Sequence, residues 1–240
     1  MKLTGKQLVL ICFLFFANNA WSQKVEVMNA SGKVYQEGKK FAFIEPVTDT
    51  KGYEFVGSVK ATIRNKKSII STLFFAIKEK ANKLGANCYK VQSFSREDSL
   101  KDAVLILDCY VASDSLIDVN FNNHEKNVVF IFGEEKKDPT DTYRFNLNDE
   151  KKEITSGSYY RYDLREGEEL KINKGGFTGA SMWINWKKNK PAIFLTLSGF
   201  QVTDVGLGGG ETVTTFSTGG LNQVNISLGY LLTQLLIQSR

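Results

Sequence analysis

Cysteine and histidine are the residue types whose number limits the chemistry open to this chain. The sequence has one histidine, His124, and three cysteines. Cys12 lies in an apolar run at the amino terminus, which leaves Cys88 and Cys109. A closed transition-metal site usually needs three or four nitrogen or sulfur ligands, and a catalytic triad needs a histidine packed beside its nucleophile. Because His124 lies in a polar stretch, we predict no catalytic residue, no metal ligand and no cofactor.

Cys88 and Cys109 are instead expected to form a structural disulfide. They lie in two predicted strands, 86–94 and 103–111, that a polar loop joins. A regular hairpin places the two cysteines directly opposite each other, at a Cα separation that a disulfide can span. A shift of one residue in register would turn them to opposite faces of the sheet.

Acidic and glycine-rich segments are the other places where a ligand could bind. The glutamates of 166–169 alternate with a glycine, as solvated loop residues do. Segment 146–150 has the spacing of calcium ligands but lacks the bending glycine and the closing glutamate, which favours a hairpin turn at Asn148 and Asp149. Segment 206–210 leads into a strand-like run without the lysine of a phosphate loop, which predicts a flexible loop.

Trp183 is the residue that we single out as a candidate ligand contact. In the strand around it, Met182, Ile184 and Trp186 are expected to face the core, which leaves Trp183 on the polar face. The lysines that follow are interpreted as a solvated turn. An exposed indole could stack on a sugar ring or on an apolar partner, whereas a covered indole would simply pack under a loop.

The first 22 residues have the pattern of a secretory signal peptide. The apolar run 8–17 has ten residues, too few to span a bilayer as a helix. Ala20 and Ser22 are the small side chains that signal peptidase accepts, which predicts cleavage between Ser22 and Gln23. The pattern resembles exported proteins of Bacteroidota, whose leaders often end before glutamine. We therefore expect a periplasmic, outer-membrane-associated or extracellular protein, with an uncleaved anchor or a buried strand as the alternative.

Charge and composition limit the class of partner. The chain has 31 Lys and Arg against 26 Asp and Glu, and 42% of its residues are hydrophobic, which excludes a disordered chain. Loss of the leader removes two lysines and no acids, leaving 29 basic and 26 acidic residues. Such a balance predicts no nucleic-acid partner. We expect the partner to be an envelope protein or a glycan, and any association with a membrane to be at most peripheral.

The segment from 23 to 112 is predicted to be an α+β domain. Extended runs occupy 24–62, and apolar residues at helical spacing over 69–84 predict one helix. Two strands with a polar loop between them follow. An antiparallel sheet with one helix on it accounts for this order.

The end of this helix carries a short motif, formed by Ala81, Leu84, Gly85, Ala86 and Asn87. It resembles the A-x-x-L-G-A-N stretch of the small envelope domain shared by the Rcs stress-sensor lipoprotein and the YbjQ-type family. The resemblance covers residues 53–112 and implies the α+β fold and an envelope setting. YbjQ-type proteins are often labelled heavy-metal-binding, but this segment has no histidine and only two cysteines, so the metal is not carried over.

The remaining chain is predicted to form an all-β domain over 127–240, after a polar linker at 113–126. Six short apolar runs separated by turn residues are typical of a β-sandwich or small barrel. A terminal helix, too short to cross a membrane, is predicted from leucines at helical spacing, namely Leu228, Leu231, Leu232, Leu235 and Leu236. We expect this helix to dock on the sandwich, with a membrane-surface helix as the alternative.

These features together favour an exported bacterial cell-envelope protein that is not an enzyme and acts as a binding, sensing or structural module. Two alternatives stay open. A secreted carbohydrate-active enzyme would use carboxylates that the sequence cannot bring together. A surface adhesin would use Trp183 and the threonine- and glycine-rich stretch 206–220.

Overall fold

The computed structural model describes residues 23–33, 35–63, 69–96, 103–133, 141–174, 180–197, 217–218 and 220–239. The predicted leader at 1–22 and the glycine-rich run at 206–210 lie outside these residues. The described chain contains three helices, which are α1 (Ile69–Lys83), α2 (Asp114–Asn123) and α3 (Ile226–Leu235). Its strands form three sheets. The strand-rich fold with helices that the sequence predicts is confirmed.

Five strands form the amino-terminal sheet: β1 (Gln23–Met28), β2 (Ala42–Phe43), β3 (Glu54–Ile63), β4 (Cys88–Arg96) and β5 (Ala103–Val111). Their order across the sheet is β1-β3-β5-β4-β2, and β2 runs parallel to β4 while the other pairs are antiparallel. Helix α1 covers one face with its apolar stripe, whose buried members are Ile70, Leu73, Phe74, Ile77 and Ala81. This helix lies where its apolar periodicity predicts it.

The motif at the end of α1 joins the helix to the sheet. Gly85 has a φ of +86°, and a Cβ there would lie 2.4 Å from the Cβ of Tyr35, so both the backbone and the packing require glycine. The side chain of Asn87 accepts a hydrogen bond from the backbone N–H of Ala112 at 2.9 Å and donates to its carbonyl at 2.7 Å. This pair of hydrogen bonds to the backbone of Ala112 holds the residue before β4 next to the end of β5.

Two further sheets are built from the rest of the described chain. The first contains β7 (Thr142–Leu147), β8 (Glu150–Thr155), β10 (Glu169–Lys174) and β11 (Ala180–Asn185), in the order β11-β10-β7-β8. The second contains β6 (Val128–Phe132), β9 (Ser158–Asp163), β12 (Ile193–Leu197), β13 (Ser217–Thr218), β14 (Leu221–Gln223) and β15 (Ile237–Gln238), in the order β13-β14-β12-β6-β9-β15. Both contribute to one buried core, which includes Val129, Ile131, Phe145, Ile172 and Leu195. Positive φ angles at Asn148 and Asp149 confirm the predicted hairpin turn between β7 and β8.

Helix α3 connects the amino-terminal sheet to the carboxyl-terminal sheets. It contacts α1, β2, β4 and β12. Leu228, Leu231 and Leu232 are fully buried, and they belong to a hydrophobic core that runs from α1 to β6. The terminal helix is therefore confirmed, but it docks on the amino-terminal elements as well as on β12. A Cβ on Gly229 would lie 2.2 Å from Cγ of Phe194, so this glycine lets the helix approach β12 closely.

The two cysteines lie on opposite faces of the amino-terminal sheet, and the predicted register is wrong. The hairpin pairs Phe94 with Leu105 rather than with Ala103, and a bulge in β4 after Val91 then shifts the register by one residue, so Cys88 lies opposite Tyr110 rather than Cys109. Cys109 belongs to the core under α1, whereas Cys88 packs on the other face. Both thiols are free and buried, contrary to the predicted disulfide. Burial raises the pKa of Cys88 to about 12 and also raises the pKa of Cys109, so both are weak nucleophiles.

The segment 113–126, interpreted from the sequence as a polar linker, contains helix α2. The side chain of Ser113 caps this helix by accepting a hydrogen bond from the backbone N–H of Leu116 at 3.4 Å. Leu116 and Ile117 pack against the sheet face that carries Cys88. Because so few apolar side chains face the sheet, the periodicity is too weak to predict the helix. No helix among the described residues has the length and hydropathy needed to cross a membrane.

Candidate functional site

Two regions of the described chain place polar or titratable side chains where a ligand or a proton could act on them. The tryptophan face is the outer surface of β7, β10 and β11, formed by Asn146, Lys171, Asn173, Ser181, Trp183 and Asn185. The histidine joint lies where α2 meets α3 and is formed by Glu45, Asn120, His124, Glu125 and Tyr230. Among the described residues, no group of three or more His, Cys, Asp or Glu is arranged to hold a metal ion.

Strand alternation produces the tryptophan face. Along β11, Ile184 is buried while Trp183 is 58% exposed. Met182 and Trp186 pack against the core between the two sheets, as the sequence predicts. The position of Trp183 on the polar face is confirmed, its indole is exposed rather than covered, and its contact with a ligand stays a prediction.

Hydrogen bonds order the polar side chains beside Trp183. Strand register places Lys171 of β10 directly opposite it. Nζ of Lys171 lies 2.9 Å from the carboxylate of Asp149 in the β7–β8 turn. On the next row, the side-chain amide of Asn173 donates to the hydroxyl of Ser181 at 2.8 Å. The face therefore presents one exposed aromatic ring beside amide, hydroxyl and ammonium groups.

Two ion pairs balance the charge of this sheet surface. Besides Lys171 and Asp149, Arg144 of β7 pairs with Glu153 of β8, with Nε and Oε2 2.8 Å apart. Exposed pairs of this kind contribute little to stability. Each pair brings opposite charges together, which reduces the attraction of this part of the surface for a highly charged ligand.

Glu168 is the member of the 166–169 cluster that the structure holds in place. The hydroxyl of Tyr162 and the backbone N–H of Arg165 both donate to its carboxylate. The hydrogen bond from Tyr162 lowers the pKa of Glu168, and the same bond raises the pKa of Tyr162 to about 12. An ionised carboxylate with two donors braces the turn before β10 and does not have the raised pKa of a general acid.

His124 is buried, contrary to the expectation from its polar neighbours. It follows the last residue of α2, and its ring centroid lies 4.3 Å from that of Tyr230 in α3. The rings of Phe43 in β2 and Phe121 in α2 lie within 6.2 Å and 5.6 Å of it. His124 is therefore packed between the amino-terminal sheet and helix α3.

Asn120 connects His124 to the chain that follows β2. Its side-chain oxygen accepts hydrogen bonds from the backbone N–H of Glu45 and the hydroxyl of Thr48, both at 3.0 Å. Its amide nitrogen donates to the carbonyl of Phe43 at 2.8 Å and lies 3.3 Å from Nε2 of His124. Because an amide nitrogen only donates, Nε2 accepts, and the neutral ring carries its proton on Nδ1.

Two buried polar atoms of the joint have no hydrogen-bond partner within the described chain. They are Nδ1 of His124 and the hydroxyl oxygen of Tyr230. Burial lowers the pKa of His124 from 6.5 to about 4, a hydrogen bond to the backbone of Phe43 opposes this shift, and the charge of Lys126 adds to it. Burial also raises the pKa of Tyr230. Both rings are therefore neutral at neutral pH.

Two glutamates border the joint. Oε1 of Glu45 lies 3.8 Å from Nε2 of His124. Burial, and to a smaller extent the charge of Glu125, raises the pKa of Glu45. Glu125 forms an ion pair with Arg161 of β9. A cluster of titratable groups with shifted pKa values is a feature of functional sites, although structural ion pairs can produce it too.

The sequence pattern did not identify Asn120, His124 or Tyr230 as partners. The available signal was the spacing of Asn120 and His124, four residues apart, which brings both to one side of a helix. This spacing predicts a buried contact only when it is already known that the segment is a helix and that this side of it is buried. Tyr230 lies among the leucines of the predicted core, where an aromatic residue is common and does not indicate a functional site.

Comparison with known proteins gives no functional information for this chain. No family model, no curated protein and no solved structure matches the chain. The resemblance of residues 53–112 to an envelope domain therefore stays a prediction. The order β3, α1, β4 and β5 within this segment does not identify a family by itself.

Proposed function

We propose that this chain is an exported cell-envelope protein that binds a neutral glycan through the tryptophan face. The observation that carries the proposal is the exposed indole of Trp183 beside the side chains of Asn173, Ser181 and Lys171. An exposed indole can stack on the apolar face of a sugar ring, while amide and hydroxyl groups bind sugar hydroxyls. The ion pairs at Lys171 and Arg144 favour an uncharged saccharide over a polyanion.

Export is the other half of the proposal, and it is supported by the leader pattern at 1–22 and by the envelope resemblance of 53–112. Cleavage between Ser22 and Gln23 would leave in place all six residues of β1, each of which pairs with β3. We also propose the division into an α+β domain at 23–112 and a β-sandwich domain at 127–240. The continuous core that α3 forms with both parts favours their folding as one unit.

The exported protein is expected to begin at Gln23. Mass spectrometry of the envelope fraction of the producing bacterium should find a mature chain that starts at this residue, with or without cyclisation. Ala20→Arg places a large charged side chain where signal peptidase needs a small one, so the precursor should accumulate. An intact chain from Met1 in the cytosol contradicts export.

Trp183→Ala is expected to weaken glycan binding roughly tenfold or more while leaving the fold unchanged. Truncating an aromatic residue at the centre of a binding surface typically costs about 2 kcal/mol of binding free energy. An exposed side chain contributes little to folding. Calorimetric titration with soluble neutral polysaccharides, and with an acidic polysaccharide in parallel, measures the dissociation constants. Phe55→Ala, which removes an exposed aromatic side chain from β3, is the matched control and should bind as the wild type does.

Three results would contradict the glycan proposal. They are an absence of binding to every neutral polysaccharide tested, equal affinities for wild type and Trp183→Ala, and a preference for the acidic polysaccharide. If Phe55→Ala weakens binding as much as Trp183→Ala, the tryptophan face is not the binding surface.

A carboxylate-based enzyme is the second candidate, and the observation that favours it is the pair Glu45 and Glu125. Their charges interact, and the pKa of Glu45 is raised in the direction that a general acid needs. Against it, Arg161 pairs with Glu125, and the side chain of Glu45 is only 17% exposed. If the protein releases new reducing ends from the same polysaccharides, and Glu45→Gln abolishes this activity, the protein is an enzyme rather than a binding module.

A further inference from the structure

We infer that the histidine joint is a proton-operated latch, in which protonation of His124 at Nε2 breaks its hydrogen bond with Asn120 and loosens α3 from the amino-terminal sheet. The latch is independent of glycan binding, because its residues lie on α2, α3 and the segment after β2. Its function would be to make the contact between the two parts of an exported protein respond to the acidity outside the cell.

Hydrogen-bond geometry decides where an added proton binds. Nε2 of His124 lies 3.3 Å from the side-chain nitrogen of Asn120 and accepts from it, so the neutral ring already carries a proton on Nδ1. The only free position is Nε2. A proton there would face the N–H of Asn120, and two donors cannot form a hydrogen bond, so the ring or the amide must move.

Neither group can move without disturbing the contact between β2 and α3. Asn120 also holds the carbonyl of Phe43 and the backbone N–H of Glu45, so turning its amide breaks bonds to the chain at the end of β2. The ring of Phe43 stacks on that of Tyr230, with centroids 5.5 Å apart. Because Tyr230 also contacts the ring of His124, a shift of either ring reaches α3.

The charged groups around the ring do not compensate for a buried imidazolium. Glu45, from the segment after β2, faces Nε2 at 3.8 Å, outside hydrogen-bond distance. Glu125 pairs with Arg161 of β9, and Lys126 carries a charge of the same sign as the imidazolium. Helix α3 contributes Tyr230 and has no charged residue. A hydrogen bond to the backbone of Phe43 favours the protonated ring, but the cost of burial outweighs it, so an imidazolium is more stable in water than in the closed joint.

The direction of the pH effect follows from the two states of the ring. In the closed joint, burial lowers the pKa of His124 from 6.5 to about 4, whereas a hydrated ring in the open joint returns to its ordinary pKa. The open state binds the proton more tightly, so acidification favours opening between about pH 6.5 and pH 4 and has no further effect below. Between pH 7 and pH 5 the opening equilibrium should rise roughly 20-fold. Glu45, whose pKa is raised in the closed joint, acts in the opposite direction and reduces this response.

The test uses untagged protein, in which His124 is the only histidine and gives a single set of imidazole resonances by NMR. We expect its titration midpoint near pH 4. Amide hydrogen exchange in α3, corrected for intrinsic rates, should accelerate roughly 20-fold from pH 7 to pH 5, while the amides of β10 and β11 serve as the internal reference and should not. His124→Gln, which retains an acceptor for Asn120 and does not titrate, should abolish the acceleration. Glu45→Gln, which removes the opposing group, should enlarge it.

A midpoint near pH 6.5 would overturn the latch, because the ring would then be hydrated in the closed joint. So would α3 exchange that is independent of pH, or an acceleration that persists in His124→Gln or shrinks in Glu45→Gln. The wild-type protein alone supplies the midpoint and the exchange rates, so the latch can be refuted even if a variant fails to fold.

Discussion

Leu232→Ala is expected to lower the free energy of unfolding by about 2–5 kcal/mol, the range for truncating a buried leucine. Leu232 is fully buried in the core that α3 shares with both the amino-terminal sheet and β12. The cavity left by the missing carbons cannot close easily, because Gly229 on the same helix already lies against the ring of Phe194. Urea unfolding followed by circular dichroism measures the change.

The shared core adds a second expectation for the same variant. Trp183 and Trp186 report on the carboxyl-terminal sheets, so their fluorescence should follow the same transition as the circular dichroism of the whole chain. Gln234→Ala, at an exposed position of α3, is the matched control and should stay within about 0.5 kcal/mol of wild type. A loss below about 1 kcal/mol, or a fluorescence transition that does not move, would mean that α3 does not join the two parts.

Asn120→Ala is expected to cost roughly 2–5 kcal/mol of stability. The substitution removes the hydrogen bonds to the N–H of Glu45, the carbonyl of Phe43 and the hydroxyl of Thr48, of which the hydroxyl keeps its bond from Asn123. Each buried group left unpaired costs about 1–3 kcal/mol, and water reaching the partly exposed members lowers the sum. The same urea titration at pH 7 gives the difference.

Asn122→Ala provides the control for this change, because Asn122 is exposed on the same helix. It alters helix propensity by a similar amount without touching the histidine joint, so its stability should stay within about 0.5 kcal/mol of wild type. If the two variants are equally stable, the hydrogen bonds of Asn120 do not hold α2 to the segment after β2. Protonation of His124 could then not be transmitted through Asn120, and the proton-operated latch would be contradicted.

The sequence by itself determined the features that lie within a single helix, strand or turn. The apolar stripe of α1, the outward position of Trp183 and the turn at Asn148 and Asp149 were all predictable from the sequence. Each depends on spacing within one helix or strand, or on a residue type that tolerates positive φ. Gly85 likewise marks the end of α1, because few other residues adopt its backbone conformation.

Tertiary structure decided the features that depend on pairing between distant elements. One extra residue in β4 shifts the register and turns Cys88 away from Cys109, and no residue type announces such a bulge. Burial of His124 depends on α3, more than 100 residues further along the chain, closing over a segment that looks solvated by itself. Polar side chains carry no local sign of burial, because their hydrogen-bond partners, here Glu45 and Phe43, come from elsewhere in the chain. The tryptophan face could thus be predicted from one strand, whereas the histidine joint exists only once three separate segments have packed together.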